Sequence, residues 1–228
     1  MLSIGFFLSQ NVRITGVKNW QQGQIDFNQW LDTTNLALFN DFITNNFISS
    51  GHDFILERVD LHPKAKLTDF ISCNMPIPNS AIISLRAKYL LNKLNLPKHF
   101  FSEAKLFRNN HQIENKYFLF VWEGVSQSQI NIHCSKCYEI TDFVSKEKKY
   151  RNFDNLSEAL NWVREKPLFR SFETICLPSF YNTSDLFKIM GIPAPSYISE
   201  KFILEYKELN LTGLDFETPI LTPKIIFK

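Results

Sequence analysis

Two stretches decide the reading of the fold: ISLRAKYLLNKLNLPKHFF at residues 83–101 and ISEKFILEYKELNLTGLDF at residues 198–216. They align without a gap, and Ile83, Ser84, Leu94, Asn95, Leu96 and Phe101 recur as Ile198, Ser199, Leu209, Asn210, Leu211 and Phe216. Chance gives about one identity over such a length, so the pair reads as an internal repeat. Each copy opens with a Ser suited to cap a helix N-terminus. In the first copy Ala87, Leu90, Leu91 and Leu94 then follow at helical spacing; in the second, Phe202, Tyr206 and Leu209 do the same. A Leu-Asn-Leu stop and a strand entry carrying Phe complete each unit. The first helix is predicted to end near Asn95, because Pro97 disfavours a helical conformation at Leu96. Gly213 supplies a permissive turn between helix and strand in the second copy. The copies differ where Leu85 stands against Glu200 and Lys98 against Gly213.

Outward from this pair, the chain alternates strand and helix signals. The apolar start, residues 1–8, has no Lys or Arg before it and no small-residue cleavage pattern after it, and reads as a first strand. Residues 9–32 are polar and turn-rich around Gly16, Gly23, Trp20 and Trp30. Leu36, Phe39, Ile43 and Phe47 could form a helical stripe, but the Asn and Thr residues among them are poor helix formers. Residues 53–61 read as a strand. Residues 100–107, 116–123 and 129–140 are three strand candidates close enough in sequence to favour an antiparallel meander. Asn155, three residues before Glu158, resembles a capping box for a helix that buries Leu156, Ala159, Leu160 and Val163 and ends at Pro167. Residues 172–177 read as a further strand. The expected class is therefore α+β, with mainly antiparallel sheet, a few amphipathic helices on one face and two related helix-strand units. The 228 residues suit a single domain, 1–228, with packed halves at about 1–110 and 111–228 as the alternative division.

Composition narrows the function classes. A net charge of +2 is too small to supply a general phosphate-binding field, and no uninterrupted apolar run is long enough to cross a bilayer, so neither nucleic acid nor membrane is an expected partner. The run Lys146, Lys148, Lys149, Arg151 is interrupted by Glu147 and reads as a solvated loop. Four cysteines, Cys73, Cys134, Cys137 and Cys176, form no dense framework, which fits free thiols and a cytoplasmic setting. His133, Cys134 and Cys137 resemble half of a zinc site, but nothing in the sequence supplies the other half, and Ile130, Ile132, Cys134 and Tyr138 read as strand. The histidines show no metal-protease spacing. No Gly-rich phosphate loop occurs, and Ser84 and Ser199 lie in no nucleophile motif. No catalytic residue, cofactor or metal is expected. Trp20 and Trp30, aromatic residues in a polar segment, are candidate interface anchors.

The string Tyr197-Ile198-Ser199-Glu200-Lys201, the helix after it and Leu211-Thr212-Gly213-Leu214-Asp215-Phe216-Glu217 resemble the C-terminal signature of bacterial polymorphic-toxin immunity proteins, similar to immunity families eleven and forty-three. The upstream part of that signature is matched by Asp69-Phe70-Ile71 and Ile82-Ile83-Ser84-Leu85-Arg86-Ala87. The resemblance covers roughly residues 69–217. It implies a non-enzymatic protein that binds and neutralises a cognate toxin, and it carries over no catalytic residue. Trp20, Trp30 and Glu200 are the partner-binding candidates under this expectation. The alternatives are an enzyme whose carboxylates and histidines converge only in the fold, and an oligomeric interaction module.

Overall fold

A computed structural model describes residues 4–8, 12–17, 21–25, 55–75, 79–142, 144–192, 195–216 and 223–228. The architecture is α+β: a mixed, mostly antiparallel, curled sheet system with a few short helices. In chain order the elements are β1 (Ile4–Leu8), α1 (Val12–Thr15), β2 (Gly23–Gln24), β3 (Ile55–Leu61), β4 (Phe70–Ile71), β5 (Ser80–Ser84), α2 (Leu85–Leu91), β6 (His99–Arg108), β7 (His111–Gln112) and β8 (Tyr117–Trp122). There follow β9 (Lys136–Asp142), β10 (Glu147–Arg151), α3 (Leu156–Glu165), β11 (Arg170–Leu177), β12 (Leu186–Phe187), β13 (Ser196–Ile198), α4 (Glu200–Glu208), β14 (Leu214–Asp215) and β15 (Lys224–Phe227).

One sheet has the order β2-β3-β6-β8-β5-β4, with β7 folded back on β6. Its central strand β8, YFLFVW, shows why the sheet is two-sided. Tyr117, Leu119 and Val121 enter one core with Val59, Ile82 and Leu106, while Phe120 and Trp122 enter another with Ile83, Leu90, Ile198 and Phe202. Successive strand side chains face opposite ways, so one apolar strand serves both cores. The second of these cores draws α2 and α4 onto one sheet face, joining residues as far apart in sequence as Phe70 and Leu214. Leu90 and Phe202 are fully covered there, worth roughly 1.5–3 kcal/mol each. A second sheet, β10-β9-β11-β15, packs with α3 around a third core that includes Phe153, Trp162, Phe172 and Ile175. The third sheet is β12-β13-β1-β14.

Several sequence expectations need correction. Residues 100–107 and 116–123 do pair antiparallel, as β6 and β8, but the third candidate, 129–140, does not extend that meander. Residues 127–129 and 132–134 are 3-10 turns, and only β9 from Lys136 is strand, in a different sheet. The Asn131 side chain accepts from the His133 amide at 3.2 Å, a local bond that competes with a ladder. The sheets are mostly antiparallel, as expected, but mixed: β3 pairs with β6, and β11 with β15, in parallel. Of the basic run taken for a loop, Lys146 is in a turn, but Lys148, Lys149 and Arg151 lie on strand β10, paired with β9. The first helix ends at Leu91, earlier than Asn95, because Lys93 and Leu94 donate to Leu90 and Leu91 in tightened three-residue turns. The expected helical stripe at residues 36–47 lies outside the described residues.

Candidate functional site

The residues singled out by the two matched stretches meet where α2 and α4 lie side by side. Ser84 caps α2, its oxygen accepting from the Ala87 amide at 3.2 Å, while its hydroxyl donates to Asp69 Oδ1 at 2.6 Å. Ser199 caps α4, accepting from the Phe202 amide at 3.1 Å and donating to Asp185 Oδ1 at 2.5 Å. The second oxygen of each carboxylate reaches the far end of the other helix unit. Asp69 Oδ2 accepts from the Thr212 amide at 3.0 Å and the Thr212 hydroxyl at 3.2 Å. Asp185 Oδ2 accepts from the Asn95 amide at 2.8 Å. The backbone repeats the exchange, with Phe70 donating to the Thr212 carbonyl and Asp185 to the Asn95 carbonyl.

The charges follow the same plan. Arg86 Nη1 lies 3.6 Å from Asp69, and Arg86 also donates to the Leu209 carbonyl at the end of α4. Lys201 Nζ lies 3.8 Å from Asp185 and donates to the Lys93 carbonyl beyond α2 at 3.2 Å. Cations over helix C-terminal carbonyls are favourable because they meet the negative end of the helix dipole. Both carboxylates are buried, at 7% and 5% side-chain exposure, so their bonds run through a low-dielectric region where an orphaned group is costly. Asp69 differs in bordering a surface hollow of about 380 Å³ that is also lined by Arg86, Lys116 and Thr212.

This arrangement does not present a nucleophile. Each Ser oxygen is turned into its own helix, its proton goes to a carboxylate, and the second oxygen of each carboxylate accepts a backbone amide, that of Thr212 for Asp69 and that of Asn95 for Asp185. Sequence reasoning found both serines and quoted Asp69, but missed Asp185. The available signal was spacing: Asp185 precedes Ser199 by fourteen residues and Asp69 precedes Ser84 by fifteen.

Gly213 has φ +105, and a Cβ there would lie 2.1 Å from the Phe70 carbonyl oxygen. Glycine is required at this position both for its backbone conformation and for the close approach to β4.

Of the partner-binding candidates, Glu200 is exposed on the first turn of α4. Leu85 and Tyr89 on α2 and Leu204 on α4 are also more than half exposed. Trp20 and Trp30 lie outside the described residues. His62, His99, His111 and His133 are exposed. Two cysteines do converge: the Cys176 thiol donates to the Cys134 carbonyl at 2.8 Å. Burial pushes the Cys137 and Cys176 thiols up to about 12 and about 11, so neither is a ready thiolate at neutral pH. Cys134 sits on a 3-10 turn, not on the expected strand. Among the described residues no group of three or more His, Cys, Asp or Glu side chains is placed to hold a metal ion, and no helix is long and apolar enough to cross a membrane.

Comparison with known protein families and with curated protein sequences finds no match for this chain.

Proposed function

We propose that this protein is a bacterial immunity protein, a stoichiometric binder that neutralises a cognate toxin in the cytoplasm. The observation that carries the reading is that the polar residues of the family-like signature, Asp69, Ser84, Ser199 and Thr212, spend their hydrogen bonds on scaffolding. A signature of that kind marks an architecture, and leaves function to the surface the architecture presents. In this reading the two helix-strand units are related copies, cross-tied through Asp69 and Asp185. Glu200, with Trp20 and Trp30, belongs to the toxin-contacting surface. A stable complex of this type buries about 800 Å² on each partner, with a few aromatic or charged anchors carrying most of the affinity.

The test is co-expression of the toxin-like gene encoded beside this one, with and without this protein, followed by co-purification. Growth rescue together with a stoichiometric complex is the expected result. Soluble expression without rescue, or the lack of any toxic neighbour, overturns the reading. It would then redirect work to enzymatic assays and to the size of the isolated protein in solution.

A further inference from the structure

We propose that the outer edge of β10 is a docking strand, to which an extended acidic segment of a partner protein adds as a further strand of the sheet. The inference deepens the binder reading and rests on it for the identity of the natural partner.

Edge strands carry unpaired amide and carbonyl groups, and folded proteins usually keep them short or cover them. Most described edges follow that rule, whereas β10 is longer and uncovered and carries instead two lysines and a bulge between Glu147 and Lys148. β2, β4, β12 and β14 are two residues each. β15 has four residues and the turn Ser179–Thr183 packed against it. β10 has five residues, pairs on one side with β9, and has all five side chains exposed. Among the described residues, the backbone of 148–151 makes no hydrogen bond to any element but β9.

The strand is also held ready. Tyr150 donates to Glu173 at 2.7 Å, and Lys148 donates to the same carboxylate at 3.2 Å with its ammonium 4.2 Å above the Tyr138 ring. Arg151 lies over the Phe153 and Trp162 rings and 3.6 Å from Glu158. Those contacts anchor Lys148, Tyr150 and Arg151 to the body of the sheet, so a docking segment need not order the strand it meets. The hydrogen bond from Tyr150, with the nearby lysines, holds the Glu173 carboxyl below the usual range, which keeps that anchor ionised.

Charge selects the partner. Lys146 and Lys149 make no ion pair among the described residues, and Glu147 is the one acid on the strand. Their like charge disfavours edge-to-edge pairing with a second copy of this chain, whereas an acidic strand satisfies both the backbone groups and the ammonium groups. Val144 at the hairpin tip, 94% exposed, offers an apolar contact beside the charged edge.

The test uses the full chain and a capped ten-residue peptide of alternating Glu and Val, with a Lys-Val peptide and a single-stranded oligothymidylate as comparisons. Expected are saturable binding of the acidic peptide alone, slowed exchange of alternate amides in 147–151, and at least ten-fold weaker binding for Lys149→Glu combined with Lys146→Glu. The inference is overturned if the acidic peptide fails to bind, or binds without protecting those amides. It is equally overturned if the oligonucleotide binds as well, since the edge is then a phosphate-binding patch. Peptide addition without toxin rescue sinks the immunity reading alone. Rescue that persists in the double variant, with β10 amides unprotected in the toxin complex, sinks this surface alone.

Discussion

The α2 and α4 units reach the same contact by different routes. In both, a capping Ser donates to a buried Asp whose other oxygen receives an amide from beyond the opposite helix. In the α4 unit that amide belongs to Thr212. The position matched to Thr212 in the first stretch is Pro97, which has no N–H to give. The donor there is Asn95, two residues earlier, and α2 is two residues shorter than α4, seven against nine. The chain ends differ accordingly. Asn210 follows α4 in the left-handed conformation at φ 48, a common helix stop, whereas Asn95 is not left-handed. Gly213 then presses against Phe70, while its counterpart Lys98 accepts from the Glu123 amide. The shorter helix and the earlier donor thus accompany the same carboxylate contact. The lesson is that the buried acceptor, not the helix length, is the fixed element.

The sharpest test of this contrast is Gly213→Ala against Lys98→Ala. Positive φ and the 2.1 Å approach to Phe70 are expected to cost Gly213→Ala at least about 3 kcal/mol in urea unfolding, while Lys98→Ala stays within about 0.5 kcal/mol. Equal losses would mean that the two units end alike. Next in size are the carboxylates. Asp185→Ala leaves the Ser199 hydroxyl and the Asn95 amide without their acceptor, and a loss of about 3 kcal/mol is expected. Asp69→Ala should cost less, about 1–2 kcal/mol, because water entering the adjoining hollow can replace the lost acceptor. The reverse order in thermal or chemical unfolding would remove the distinction. The smallest effect is expected from Pro97→Ala. Added freedom of the unfolded chain costs about 0.5 kcal/mol, and amide exchange should find the Asn95 amide still protected. Protection that moves to residue 97 would show that the proline alone sets the shorter register.

Local chemistry was legible where a residue acts on its own neighbours. The caps at Ser84, Asn155 and Ser199, the buried face of α2, and the β6 and β8 strands follow from nearby pattern, as do the faces of α3 and α4 except that Leu156 and Leu209 are only half-buried and Trp162 and Ile203 join them. Strand β10 escaped because the sequence EKKYR has no apolar alternation. It is strand through its ladder with β9, and Glu173, Glu158 and Trp162, farther along the chain, hold its side chains. Cys134 was misplaced for the complementary reason: an apolar alternation from Ile130 lost to a side-chain turn at Asn131. Asp185 escaped because its significance lies in a bond to Asn95, ninety residues away.

By itself, the sequence determined an α+β chain and the serine-capped starts of its helices, since capping and helical periodicity act within a few residues. Tertiary structure decided the parallel pairing of β3 with β6 and β11 with β15, the division of strands among sheets, and the exchange of Asp69 and Asp185 across two helices. Those features depend on which distant backbone donors and buried acceptors satisfy one another once water is excluded, and no local spacing records that choice.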